Sequence, residues 1–283
     1  MSSTIESVSF VQSLLRRVAE SVELERIAAA IRGGARIVSI SALGSAPARA
    51  LALAALGRAT GKRLAVVAEA TRDLETWERD VCFWEAALGS DDEQIARDVL
   101  LLPASESDPY AAVSPHPETL ERRALTLWRL SKGGGRTVLL TARALARRTV
   151  SPQQIERAGA VLKRNEDFAP EQLVARLISA GYRREDPIGA IGEFSLRGGI
   201  LDVWSPGNDW PVRVEFFGDT IDSLREFDPE TQRSTVQLTQ AEVAPMRELI
   251  VTVDDIKLWA EEARSRWADG RSRARARGPH GLR

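Results

Sequence analysis

An arginine and a phenylalanine share one face of a short predicted strand, Val212 to Phe217. The two-residue period of a strand sends three apolar residues to one face and three other residues to the opposite face: Val212, Val214 and Phe216 against Arg213, Glu215 and Phe217. A guanidinium can form two parallel hydrogen bonds to a carboxylate, and an exposed aromatic beside it is typical of the centre of a protein interface. The open face therefore indicates a docking surface for an acidic partner. The alternative is that a second layer of the same domain covers Phe217.

The stretch Ser41 to Ala50, SALGSAPARA, stands where a phosphate-binding loop would follow a strand. Such a loop needs GxxxxGK and then Ser or Thr, because its N–H groups reach the phosphates, its lysine neutralises them and its hydroxyl binds magnesium. Gly44 is present, but the lysine position is lost, Pro47 removes an N–H donor, and no hydroxyl follows. Arg49 can attract an anion without completing the site. A later run, TVLLTARAL, lacks the acidic pair that would hold a magnesium-bound water. We expect no ATP site and no phosphoryl chemistry.

The counts of reactive residues argue against several other kinds of site. A single cysteine, Cys82, excludes an internal disulfide, and two histidines, His116 and His280, leave no cluster with metal-ligand spacing. We therefore predict no catalytic residue, no metal and no cofactor. A net charge of −1 over 283 residues is not that of a protein that binds DNA by bulk charge. The arginine-rich segment 264–283 leaves two interpretations open: nucleic-acid binding without sequence preference, or a disordered end.

The chain contains no segment typical of export or membrane insertion. Its start, MSSTIESVSF, lacks a charged region followed by an apolar one, and no window approaches eighteen uninterrupted apolar residues. We expect a cytoplasmic protein with no membrane partner.

Strands and helices alternate along the first half of the chain. Short apolar runs, each followed by a helical stretch, predict a parallel sheet covered on both faces, which is a RecA-like plan of the α/β class. The predicted strands are Ile37–Leu43, Leu64–Ala68, Val99–Leu102 and Thr137–Thr141. We assign residues 1–148 to this domain.

The pattern changes after the charged and polar stretch at residues 147–153. A strand near residues 159–163 and a helix from Pro170 to Gly181 precede segments that alternate with period two. Gly218 and Asp219 predict a tight hairpin turn, and Asp228 with Pro229 predicts a second turn. We therefore expect an inserted α+β domain on an antiparallel sheet at residues 149–243. Residues 244–283 begin the return to the first domain.

Two long segments carry a family resemblance. RGGILDVWSP and PVRVEFFGDTIDSLREFDPETQRS resemble the UvrA-interaction domain shared by UvrB and the transcription-repair coupling factors, and residues 108–130 resemble the coupling factors. The resemblance implies an N-terminal UvrB-like module whose RecA-like domain has lost its Walker A loop. It also implies that Arg197, Arg213 and Phe217 contact UvrA. Within the fold, Arg197 could instead pair with Asp202 or Glu193, and Arg213 with Glu215 or Asp222.

These observations predict a protein-binding module that recruits UvrA in nucleotide excision repair. RNA polymerase and DNA would be partners only through domains that this chain lacks. One alternative is an enzyme, in which the chain is the front of an ATP-dependent DNA translocase. The other is a separate DNA binder that uses the arginine-rich segment, with an affinity that falls steeply with salt.

Overall fold

The computed structural model describes residues 21–41, 43–105, 115–250 and 253–276, together with residues 13, 17 and 18. These residues form a mixed α/β structure with sheets of three, six and two strands. The helices are α1 (Val22–Arg32), α2 (Ala46–Thr60), α3 (Thr71–Ala87), α4 (Asp92–Asp98), α5 (Pro117–Ser131), α6 (Ala142–Ala146), α7 (Pro152–Ala158), α8 (Pro170–Ala180) and α9 (Val253–Ala276). The strands are β1 (Leu64–Ala68), β2 (Val99–Leu102), β3 (Thr137–Thr141), β4 (Ala160–Lys163), β5 (Arg183–Arg184), β6 (Glu193–Arg197), β7 (Ile200–Val203), β8 (Val212–Phe217), β9 (Thr220–Phe227), β10 (Ser234–Leu238) and β11 (Gln240–Val243).

The first half of the chain is built on a parallel sheet with strand order β1-β3-β2. Its core contains Ala50 of α2, Leu74 and Val81 of α3, and Leu139 of β3, none of them more than 1% exposed. These helices bury an apolar stripe against strands that are themselves apolar, as expected for a parallel sheet. Three of the four predicted strands of this sheet are therefore confirmed.

The predicted strand Ile37–Leu43 is wrong. Residues 37–41 lie outside any sheet, and Ile37 is 86% exposed. An apolar run becomes a strand only if a sheet edge accepts its backbone hydrogen bonds, and β1, an outer strand of the sheet, pairs with β3 alone among the described strands. The predicted leading helix from Phe10 to Ile31 corresponds to α1 in part, and the rest of that prediction falls mainly outside the described residues.

The second half of the chain forms a six-stranded sheet with order β10-β9-β8-β7-β6-β5. All neighbouring strands are antiparallel except β5 and β6. Helix α8 packs on one face, where Leu173 and Leu177 join Phe194 and Leu224 in a core that excludes water. The predicted turn between β8 and β9 is confirmed, since Gly218 adopts a left-handed φ of 61° that glycine tolerates without strain.

A smaller cluster joins the two halves. Trp128 of α5 packs with Ile155 of α7 and with Ala244, which follows β11. Strand β11 pairs with β4 in the two-stranded sheet beside this cluster. Arg123 of α5, 1% exposed, donates to the carbonyl of Pro103 at 2.5 Å and forms an ion pair with Glu248. The return segment is thereby fastened to the helix that covers the parallel sheet.

Among the described helices, none combines the length and the apolar composition that a membrane span requires.

Candidate partner-docking face

The outer face of the six-stranded sheet is organised around one buried carboxylate, Asp202. Its side chain is 2% exposed, although it lies on the face opposite the apolar core. The strand register explains this position, because Asp202 on β7 stands between Ser195 on β6 and Arg213 on β8. A buried carboxylate needs compensating charge and hydrogen bonds, and two arginines supply them here.

Arg213 is the closer of these arginines. Its Nε donates to Asp202 Oδ1 at 2.7 Å and its Nη2 donates to Oδ2 at 2.9 Å, which is the bidentate geometry of a strong charge-assisted pair. The guanidinium also lies 4.4 Å from the centre of the Phe227 ring. The hydrogen bond to Asp202 raises the pKa of Arg213, so the group stays cationic throughout the accessible pH range. With 16% of its side chain exposed, Arg213 offers little surface to a partner.

A loop after β9 closes over this pair. Gln232, at a φ of 60°, presents its carbonyl oxygen and Oε1 to Arg213 at 3.3 and 3.2 Å. Asp228 shapes the loop by accepting from the backbone N–H groups of Glu230 and Thr231, and the bond from Glu230 lowers the pKa of Asp228. The predicted turn at Asp228 is confirmed. The segment FDPETQRS thus forms the loop that contacts Arg213 beside Asp202.

Arg197 is the second arginine on Asp202, and it is held more loosely. Its Nη2 lies 3.4 Å from Asp202 Oδ2, its Nη1 lies 3.3 Å from Asp186 Oδ1, and 51% of its side chain is exposed. A partner can reach this guanidinium without breaking the buried pair beneath it.

Phe217 stands at the end of β8 and is 83% exposed. The register places Ile200, 40% exposed, between Arg197 and Glu215, so these residues share the outer face with Phe217. The β6–β7 turn lies close against β8, since Phe216 N–H donates to the carbonyl of Gly199 at 2.8 Å. A Cβ at Gly199 would lie 3.0 Å from the Phe216 oxygen, so this close approach favours glycine. We call Arg197, Ile200 and Phe217 the docking face.

The structure therefore brings two of the three predicted contact residues together. Arg197 and Arg213 share Asp202, while Phe217 lies on the same face without touching them in the contacts described. The predicted alternative pairing of Arg197 with Asp202 is present, whereas Arg213 pairs with Asp202 and not with Glu215 or Asp222. Sequence reasoning missed Asp186 and Gln232. A signal for Asp202 as the partner of Arg213 existed, because hairpin register puts the two residues directly opposite each other.

The candidate phosphate loop has a different role in the structure. Ser45 caps α2 by accepting from Ala48 N–H at 3.4 Å, and Pro47 occupies the first turn of that helix. The Nε of Arg49 donates to the Ser45 carbonyl at 3.4 Å, and the carbonyl of Pro47 accepts from Trp84 Nε1 at 2.8 Å. Gly44 follows a segment outside any sheet, so the strand that a phosphate loop requires is missing among the described residues before α2.

A polar cavity of about 250 Å³ opens beside the first residues of β2 and β3. Nucleotides in parallel α/β folds bind at the opposite, carboxyl ends of the strands. Arg58 lines the cavity and is already bound to Glu85 at 2.8 Å and to Ser90 Oγ at 2.6 Å. Across the described ranges, no group of three or more His, Cys, Asp and Glu residues is placed to hold a metal.

The arginine-rich segment falls partly outside the described residues. Its first part, residues 264–276, continues α9, and the exposed Arg266 pairs with Glu262 at 3.8 Å. No described contact brings this segment to the docking face.

Comparison with known proteins gives a family match in the second half of the chain. Residues 161–249 match the UvrB interaction domain. Similar proteins include the transcription-repair-coupling factors of Myxococcus xanthus, 39% identical over 64% of this chain and 15% of that protein, and of Bacillus subtilis, 35% identical over 56% and 14%. The coupling factor of Escherichia coli is 31% identical over 58% and 14%. The aligned part of the chain thus spans about one seventh of these relatives. The resemblance predicted from the sequence is confirmed: residues 161–249 match the UvrB interaction domain, and more than half of the chain is similar to transcription-repair coupling factors.

Proposed function

We propose that this chain is a protein-binding module that recruits UvrA through the docking face during nucleotide excision repair coupled to transcription. The observation that carries the proposal is Phe217, a large aromatic side chain left 83% exposed at the end of a well-packed strand. Beside it stands Arg197, a half-exposed guanidinium able to bind a carboxylate. An aromatic anchor next to an arginine is the combination found at the energetic centres of protein interfaces.

In this proposal the three predicted contact residues divide the work. Phe217 fills an apolar pocket on UvrA, and Arg197 meets an acidic group at its rim. Arg213 acts indirectly, by supporting the docking face from beneath. It is not free to bind the partner itself, because most of its hydrogen-bonding capacity is used by Asp202 and Gln232. The match of residues 161–249 to the UvrB interaction domain supports UvrA as the partner.

We further propose two domains, a degenerate RecA-like domain at residues 1–148 and the UvrA-interaction domain at residues 149–243, followed by a return segment at 244–283. The parallel sheet β1-β3-β2 supports the first assignment and the six-stranded sheet supports the second. The first domain carries no ATPase in this proposal, because Pro47 and the absence of a P-loop lysine leave little to bind a triphosphate. Titration with a fluorescent ATP analogue tests this, and saturable binding would contradict it.

The relatives are much longer than the part of them that this chain matches. This observation favours a second possibility, that the chain is the front of an ATP-dependent DNA translocase. RNA polymerase and DNA would then be engaged by other parts of the protein. Both possibilities place the docking face in the bacterial cytoplasm, where transcription is coupled to repair.

Binding of purified bacterial UvrA to the immobilised chain tests the proposal. Removing a hot-spot aromatic costs about 2 kcal/mol, so Phe217→Ala should weaken binding about 30-fold. The matched control is Phe83→Ala, which removes a phenylalanine 59% exposed on α3, in the other half of the chain. Equal affinities of the wild-type chain and Phe217→Ala would refute the proposal. An equal loss with Phe83→Ala would show that the effect is not specific to the docking face.

A further inference from the structure

Of the two arginines that contact Asp202, Arg197 is held less firmly than Arg213. Its two contacts, 3.3 Å to Asp186 and 3.4 Å to Asp202, are both longer than the 2.7 and 2.9 Å bonds that Arg213 makes to Asp202. Half of the Arg197 side chain is exposed to solvent. These long contacts and this exposure allow the Arg197 guanidinium to exchange one carboxylate for another.

The two carboxylates that Arg197 contacts differ in how easily they can be replaced. Asp202 is 2% exposed and fixed by the bidentate bond from Arg213, so it stays with the sheet. Asp186 lies in the connection between β5 and β6, and 49% of its side chain is exposed. Exposed ion pairs contribute little to stability, and they are exchanged easily for another carboxylate of better geometry.

We infer that Asp186 occupies the position on Arg197 that a carboxylate of the partner takes on docking. The inference rests on the proposed function and deepens it, since it gives the partner surface an acidic side chain next to its apolar pocket. In the free chain Asp186 competes with the incoming carboxylate for Arg197. In the complex Arg197 keeps Asp202 as its anchor and exchanges Asp186 for the partner. Asp186 therefore lowers the affinity of the docking face.

The test is Asp186→Asn, which keeps the size of the side chain and removes its charge. Because the competing pair is exposed, UvrA should bind this variant about two- to fivefold more tightly than the wild-type chain. The matched control is Asp219→Asn, an equal charge change in the hairpin turn two residues from Phe217, without a described contact to Arg197. The control should change the affinity by less than a factor of two.

A double-mutant cycle isolates the competition. In an Arg197→Ala background, Asp186→Asn should no longer improve binding, because the guanidinium for which Asp186 competes is absent. Gain in that background, an equal gain with Asp219→Asn, or unchanged or weaker binding of Asp186→Asn itself would each overturn the exchange. If Phe217→Ala still weakens binding about 30-fold in those cases, the proposed function stands without the exchange. A wild-type chain that does not bind UvrA would remove the proposed function and the exchange with it.

Discussion

Asp202→Asn should destabilise the six-stranded sheet without touching its apolar core. The substitution keeps the shape of the side chain and one acceptor oxygen, but it leaves Arg213, with 16% of its side chain exposed, without a buried counter-ion. Removing one member of a buried ion pair typically costs about 3–5 kcal/mol. The lower end applies here, because Arg213 keeps its bonds to Gln232 and its position over the Phe227 ring. We expect a loss of about 3 kcal/mol in the free energy of unfolding.

Urea unfolding combined with amide hydrogen exchange measures this loss where it occurs. Peptides from residues 193–238 should exchange faster in Asp202→Asn, while peptides from β1, β2 and β3 should keep their protection. Asp186→Asn is the matched control, since the same chemical change at a carboxylate 49% exposed should cost no more than about 1 kcal/mol. A loss below about 1 kcal/mol in Asp202→Asn, equal to that of the control, would refute the view that the buried pair supports the sheet.

Three further changes test other parts of the structure. Burial beside Glu78 and Glu85 raises the pKa of the Cys82 thiol to about 11. Iodoacetamide at pH 8 should therefore modify this thiol about 100-fold more slowly in the folded chain than in the unfolded chain. Equal rates would contradict this expectation. Gly159→Ala should lower the free energy of unfolding by about 1–3 kcal/mol, because the alanine Cβ would overlap the Trp128 ring and lie 2.8 Å from the Val243 oxygen. An unchanged midpoint in thermal or urea unfolding would contradict this close packing. Burial raises the pKa of Tyr182, whose hydroxyl donates to the Ala244 carbonyl at 2.5 Å. Its contribution to stability is therefore complete below about pH 10 and is lost as the pH rises further, so Tyr182→Phe should reduce this alkaline loss, and an identical pH profile would contradict the assignment.

The sequence predicted the second half of the fold better than the first. The alternation over Val212–Phe217 and the turn at Gly218 are set by residues that are close together in the sequence, so a local sequence pattern is enough to predict them. The run Ile37–Leu43 satisfied the pattern of a buried strand equally well, yet residues 37–41 lie outside any sheet. Strand formation in a parallel sheet requires a partner far away in sequence, and hydrophobicity alone does not identify that partner.

The docking face shows the same limit at the level of single side chains. Alternation placed Arg213 and Phe217 on the outer face, and the exposure of Phe217 agrees with that prediction. Alternation did not predict that the loop after β9 would return to cover Arg213, because this contact joins residues nineteen positions apart. Asp186 reaches Arg197 from a different connection altogether. Period and spacing assign a residue to a face, whereas its ion-pair partner depends on how the loops close.

The difference between the face that a residue occupies and its ion-pair partner affects how mutations of the three predicted contact residues are interpreted. Arg213→Ala would remove a potential contact with a partner, but it would also leave Asp202 buried with only the 3.4 Å contact from Arg197. Loss of binding in that variant would therefore combine a direct effect with a disturbed sheet. Arg197 and Phe217 are free of this ambiguity, because their exposed side chains can be truncated without leaving a charge unpaired in the interior. Of the three predicted contact residues, these two are the ones whose substitution reports on docking itself.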